Sequence, residues 1–324
     1  MVAETGVILA NFGGPRTLDE VTSFLTELLT DEDVIRPKIP RFLHSWLFKK
    51  IAQRRAPKIS HDYAIIGGKS PVFEDTEAIA AALQHATGQP VFAFHRYLPA
   101  MHAPFFDSLN NIKLNKFLVV PLYPQFSYAT TGSVARLFAK KLSPEKTIQW
   151  VKSYPTHPHY IQAMENCLRT FLQANSLREE EVFLFFSAHG LPQHFVTEGD
   201  PYESECIASY DAIRAKFPQS ASLLAFQSKF GPGQWLKPYT GTLCNNPQSW
   251  NKERKHIVFV PLSFTSDHLE TLFEIEHLYV PAIRAHGLHA YRCPALNRRP
   301  DWIDTLSALL HSQDLTSNEL LIRL

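Results

Sequence analysis

Along this chain, short uninterrupted apolar runs alternate with stretches in which apolar residues recur every three or four positions. Four segments share one plan of apolar run, turn and amphipathic stretch: "GVILANFGGPRTLDEVTSFL", "KFLVVPLYPQFSYATTGSVARL", "EVFLFFSAHGLPQHF" and "HIVFVPLSFTSDHLETLFEI". Runs without polar alternation read as strands buried on both faces, and their alternation with helices predicts parallel sheets covered by helices. The second and fourth segments are alike, "VVPL" against "FVPL", each followed by a Ser/Thr-rich turn. The pattern therefore predicts an α/β protein of two similar domains. The stretch "WVKSYPTHPHY" marks their boundary, giving domains 1–152 and 153–324, with the last helix packing back on the first. In such sheets ligands bind beyond the carboxyl ends of the strands, which directs attention to the four turns.

Two of those turns carry chemistry. The apolar run Val182–Phe186 ends in Ser187-Ala188-His189-Gly190, so a core strand delivers His189 into a Gly/Pro turn. A lone histidine there would cap the turn with a hydrogen bond. After "HIVFVPL", Thr265 or Ser266 is placed to cap a helix. At about 3.6 residues per turn, Asp267, Glu270, Glu274 and His277 share one stripe, Leu269, Leu272, Phe273 and Glu276 another, and His268 stands in the first turn. Such a stripe is ordinary for a solvated face. At a strand's carboxyl end it reads differently, because carboxylates joined by a histidine can carry a divalent cation or move protons. No H-E-x-x-H spacing of a resident zinc site is present, so a metal here is expected as substrate. "NFGGP" lacks both G-x-G-x-x-G and G-x-x-x-x-G-K-S/T, which argues against a dinucleotide or P-loop site.

Composition narrows the classes further. A chain of 324 residues with 45% hydrophobic content can bury two ordinary cores. Its 32 basic and 31 acidic residues leave a formal charge of +1, so no global field recruits nucleic acid. Cys167, Cys206, Cys244 and Cys293 are widely spaced without a C-x-x-C, as expected of free thiols in a reducing cytosol. The start "MVAETGVILANFGGP" has no signal-peptide pattern and no apolar run reaches the length of a span, so a cytoplasmic location is expected. Residues 36–58 carry eight Lys/Arg and no acid, interleaved with Phe42, Leu43, Trp46, Leu47, Phe48 and Ile51. That segment reads either as a surface touching anionic lipid or as a solvated helix packing its apolar face on the domain.

Taken in order, "ILANFGGP", "LTELLTDEDVI", "IGGKSPVF", "YPQFSYATTGS", "YPTHPHYIQA", "FSAHGLP" with "GDPY", "FQSKFGPGQWLKPYT" and "PLSFTSDHLETLFEIE" closely resemble the ferrochelatases, which insert Fe(II) into a porphyrin. The resemblance covers nearly the whole chain and implies two flavodoxin-like, Rossmann-type domains, each a parallel sheet flanked by helices. It implies that His189 removes pyrrole protons with Glu270 close by, and that His268 and Glu274 continue the path behind Glu270. His189, Glu270 and Glu274 would meet the metal. Phe12 and Trp235 would wall the porphyrin pocket, with Tyr123 on its far side; Arg55, Lys58, Tyr63 and Ser70 match the propionate-binding positions, and Arg96-Tyr97 matches the family's "RY" pair. The 36–58 segment would form the upper lip of the pocket and meet the membrane.

Where some members have tyrosine and metallate coproporphyrin, this chain has Phe12, so protoporphyrin IX is the expected substrate and protohaem the product. Coproporphyrin III, another tetrapyrrole, and a carrier without insertion activity are the alternatives. A carrier has no need of His189 beside Glu270. Lys69 replaces a common third glycine in "IGGKSP", either adding a propionate contact or altering the turn. The sequence ends soon after "DWIDTLSALLHSQDL" without the cysteine-bearing extension of animal members, so no iron–sulfur cluster and no other permanent cofactor is expected. Nothing in the sequence specifies an oligomeric state.

Overall fold

The run Thr5–Asn11 forms strand β1, six of whose seven residues are buried. It is followed by α1 (Val21–Leu29), α2 (Arg41–Ile65), α3 (Val72–Thr87), β2 (Val91–His95), α4 (His102–Asn111), β3 (Lys116–Pro121), α5 (Ser133–Lys141) and β4 (Thr147–Val151). These strands are parallel in the order β2-β1-β3-β4, with Val7 opposite Val91 and Leu9 opposite Val120. Ile8, Phe94, Val119, Phe138 and Trp150 pack together on this sheet and are almost completely buried, which is why the strands tolerate no polar alternation.

The same plan then repeats. α6 (Pro158–Ala174) leads into β5 (Val182–His189), α7 (Gln193–Thr197), α8 (Tyr202–Arg214), β6 (Ala221–Gln227), α9 (Thr240–Cys244), β7 (His256–Pro261), α10 (Val280–Arg284) and β8 (His289–Arg292). The sheet order is β6-β5-β7-β8, all parallel, around a core of Phe183, Phe185, Ile257, Phe259, Ile275 and Ile283. The chain leaves this unit in α11 (Pro300–Leu309), and β9 (Leu315–Ser317) pairs antiparallel with β4. One antiparallel strand thus covers the edge of an otherwise parallel sheet. The computed structural model describes residues 5–36 and 39–323, without the side chain of Arg41. Within it the chain divides into Met1–Ser153 with Ile303–Leu324, and Tyr154–Trp302.

In each sheet the strand order reverses between the first and third strands, the usual place for a ligand in a doubly wound fold. His189 ends the first strand of the second sheet, and Phe12 follows the first strand of the first. The third strands, β3 and β7, both run into π-helical backbone, Tyr128–Gly132 and Glu270–Tyr279. The sequence predicts an ordinary helix from Ser266; instead residues 265–268 form a loop, Leu269 caps the helix, and the Val280 N–H reaches back five residues to the Ile275 carbonyl.

Candidate active site

His189 is held from several sides by groups that leave one ring nitrogen unengaged in these bonds. Its N–H donates to Ser263 Oγ at 2.9 Å, and its carbonyl accepts from the Tyr202 hydroxyl at 2.9 Å. Its Nδ1 lies 2.7 Å from the Gly190 carbonyl oxygen. A carbonyl only accepts, so Nδ1 carries the hydrogen and Nε2 of the neutral ring presents the lone pair. Glycine is required at position 190: its N–H donates to the Gln227 carbonyl at 2.7 Å, and a Cβ there would sit 2.6 Å from that oxygen.

Phe264 makes edge contacts with both histidines, its centroid 5.9 Å from the His189 ring and 4.0 Å from the His268 ring. His268 is buried; neither ring nitrogen hydrogen-bonds to any described residue, and Nε2 lies 3.5 Å from Glu270 Oε2. Burial pushes its pKa down, with Glu270 and Asp267 working against that shift. The two carboxylates on the π-helix differ in surroundings. Glu270 keeps its side chain partly exposed, whereas Glu274 Oε2 accepts from Gln227 Nε2 at 2.9 Å and from the Ser228 hydroxyl. Gln227 is the hub: Nε2 also donates to the Glu270 carbonyl at 2.8 Å, and Oε1 accepts from Ser187 at 2.6 Å.

The expected acidic stripe is corrected at both ends. Asp267 lies in the loop before the helix, buried and bound by Thr271 and Arg292 at 2.8 Å and Asn297 at 2.9 Å. His277 is exposed beside Phe273. A later start and i→i+5 spacing re-phase the side chains, leaving Glu270 and Glu274 as the pair near Gln227. Among the described residues no three His, Cys, Asp or Glu side chains are arranged to hold a metal ion. Trp235 is buried, its ring 5.2 Å from Phe230, and residue 235 bridges Pro192.

In the first unit the turn after β1 gathers several expected residues. The half-buried Phe12 ring lies 4.6 Å from Tyr97 and 6.0 Å from Phe24, and Phe24 continues to Tyr63 at 6.5 Å. Gly14 allows Ser70 to approach, since a Cβ there would meet Ser70 Oγ at 2.6 Å. Phe12, Tyr63 and Ser70 are therefore brought together, while Arg55 and Lys58 sit exposed on α2. Arg96 and Tyr97 face inward. The Arg96 guanidinium bonds Ser133 and Asp31 at 2.7 Å and Glu27 at 2.8 Å, and the Tyr97 hydroxyl donates to Asp31 at 2.9 Å. Burial opposes the Arg96 charge, but its acidic neighbours outweigh burial and hold its pKa above the usual value. Tyr123 is buried, which pushes its phenol up. Lys69 pairs with Glu74.

Gln227, Ser263 and Phe264 escape sequence reasoning. Each sits next to a strand end, yet no spacing or composition distinguishes them from neighbouring turn residues.

The comparisons with known proteins are concordant. The family model described as Ferrochelatase matches residues 4–314. A ferrochelatase of Chlamydia trachomatis serovar A is 44% identical over 305 residues, covering 94% of this chain and 95% of that protein. One from Chlamydia abortus is 41% identical over 316 residues, covering 98% of each. Among solved structures, CbiX, the terminal enzyme for biosynthesis of sirohaem in denitrifying bacteria, superposes with TM-score 0.53 at 14% identity, covering 94% of this chain and 97% of that one. SirB from Bacillus subtilis with Fe3+ gives TM-score 0.55 at 12% identity, covering 96% and 94%. At those identities the two structures speak to the fold alone.

Proposed function

Because this chain belongs to the ferrochelatase family and so is a lyase that inserts iron into a porphyrin, we propose that its porphyrin is protoporphyrin IX and its product protohaem, with His189 Nε2 as proton acceptor. The observation that carries the assignment of the base is the 2.7 Å contact from His189 Nδ1 to the Gly190 carbonyl, which fixes the tautomer. Insertion replaces two pyrrole N–H bonds with bonds to Fe(II) and releases two protons. The substrate assignment is supported by Phe12, whose ring offers no oxygen to iron and is braced by Tyr97 and Phe24.

The remaining roles follow from side-chain chemistry. A flat apolar macrocycle wants aromatic walls, for which Phe12, Trp235 and Tyr123 serve; its carboxylates want cations and hydroxyls, for which Arg55, Lys58, Tyr63 and Ser70 serve. Arg96 and Tyr97 act by bracing Phe12, since their polar atoms are engaged with Asp31. Glu270 and Glu274, with His268, take protons away or pass Fe(II) as cargo, and no permanent cofactor is invoked. Anaerobic assays following loss of porphyrin fluorescence test the substrate. With Fe(II), kcat/KM for protoporphyrin IX should exceed that for coproporphyrin III; the reverse order would overturn this assignment.

The enzyme is further proposed to work from the cytoplasm against a membrane surface. No helix among the described residues is long and apolar enough to cross a membrane. On α2, His44, Ala52, Ala56 and Tyr63 are buried at helical spacing, while Phe42 (78% exposed) and Trp46 (61% exposed) lead toward exposed Lys49, Lys50 and Arg54. Such a surface suits anionic lipid, with Pro37, Lys38 and the Arg41 side chain outside the described residues. Each lipid-facing cation contributes about 1 kcal/mol, so Lys49→Glu/Lys50→Glu/Arg54→Glu should weaken binding to phosphatidylserine vesicles by roughly 100-fold. Co-sedimentation reads this out, and unchanged binding would return α2 to an ordinary solvated helix.

A further inference from the structure

We propose that Asn297 is a positioning residue for iron insertion, fixing the 265–268 loop and through it the His268–Glu270 pair. Asn297 follows β8 and adopts φ = +49°, in the left-handed region that asparagine tolerates better than most side chains. From there it engages the loop three times. Its N–H donates to the Thr265 carbonyl at 2.7 Å, its Oδ1 accepts from the Asp267 N–H at 2.7 Å, and its Nδ2 donates to Asp267 Oδ2 at 2.9 Å.

The constraint then passes along hydrogen bonds to the histidine. Asp267 Oδ1 accepts from Arg292 Nη1 and from the Thr271 hydroxyl, both at 2.8 Å. The Thr271 oxygen in turn accepts from the His268 N–H at 3.0 Å. This matters because the His268 ring has no hydrogen bond of its own to a described residue. Its position is therefore set by its backbone and by the 4.0 Å ring contact with Phe264, which lies in the same connection between β7 and the π-helix. A displacement of about 1 Å at a reacting group can cost on the order of 100-fold in rate, so a clamp on this loop acts on turnover more than on binding.

The inference rests on the assignment of His268 and Glu270 to the reaction, and three variants of the full chain test it. Asn297→Gly keeps the left-handed backbone and the bond to Thr265 but removes both side-chain bonds. Its kcat for Fe(II) insertion should fall roughly 10- to 100-fold per folded molecule, with KM for protoporphyrin IX within about twofold. Asn297→Asp sets a carboxylate against Asp267 and should be similarly impaired. Exchanging the pair, Asp267→Asn/Asn297→Asp, restores an amide N–H to a carboxylate across the same gap and should recover most of kcat. Wild-type kcat in Asn297→Gly, a loss that merely follows the unfolded fraction, or no recovery on exchange would each overturn the role. Glu270→Gln assayed alongside separates the two levels: if it inserts iron normally, the underlying assignment fails, and if it alone is impaired, only the positioning role does.

Discussion

Replacing His189 by alanine should cut iron insertion by roughly 10²- to 10⁴-fold, the usual worth of a well-placed general base. The backbone contacts of residue 189, from its N–H to Ser263 and from Tyr202 to its carbonyl, do not involve the imidazole and survive the change. Gly190 keeps its N–H on the Gln227 carbonyl, so the strand end retains its shape. Porphyrin binding, followed by fluorescence quenching, should therefore stay within a few-fold of wild type while single-turnover insertion collapses. That split separates the loss of a transition-state interaction from a loss of uniform binding. Near-normal turnover in the alanine variant would remove His189 from the base role and leave its Nδ1 bond as simple turn capping.

Neutralising Glu270 is expected to be the next most damaging change, at roughly 100-fold in kcat, if it accepts protons or iron beside His268. Glutamine preserves its shape and removes its charge, and the partly exposed side chain should alter stability by no more than about 0.5 kcal/mol. Glu274→Gln should cost less, about tenfold. Its Oε2 accepts from Gln227 and Ser228, and a glutamine Oε1 can keep those bonds. Gln227 touches both positions, through the Glu270 carbonyl and the Glu274 carboxylate, so the double variant should fall short of the product of the two losses. Insertion rate and thermal midpoint for both singles and the double check this; additive losses, or rates that simply follow stability, would dissolve the shared path.

The central strands were legible because they are continuous apolar runs: β1, β3, β5 and β7 stand in the middle of their sheets and are buried on both faces. Their neighbours mix buried with half-buried or exposed residues: β4 and β8 break their apolar residues with polar ones, and β2 and β6 carry only four-residue apolar runs, Val91–Phe94 and Leu223–Phe226, without the turn and amphipathic stretch that mark the central four. His189 was visible as a histidine at the end of such a run. The stripe on the helix after β7 is misphased in the sequence for two reasons. The helix starts later than its cap residues suggest, so Asp267 lies before it and turns into the Arg292–Asn297 network, and an i→i+5 ladder, which shifts His277, leaves no mark on a single sequence. Arg96 is visible in the sequence only through the match of Arg96-Tyr97 to the family's pair; its partners Glu27 and Asp31 lie far from it in sequence, joined to it only by the fold.

The pairing of β9 with β4 also has a consequence for how the chain is made. Thr316 sits opposite Trp150, whose indole N–H donates to Asn318 at 3.0 Å, and Asn318 in turn donates to the Ala135 carbonyl at 3.0 Å. The sheet built from β1 to β4 is thus completed by a strand translated only after the whole of Tyr154–Trp302. At about 5–20 residues per second that interval lasts roughly 10–30 s, during which β4 presents an uncovered edge on the nascent chain. The contiguous unit can close as it emerges, so the order of closure runs opposite to the order of synthesis, and the unprotected β4 edge is the point at which a nascent-chain chaperone has something to shield.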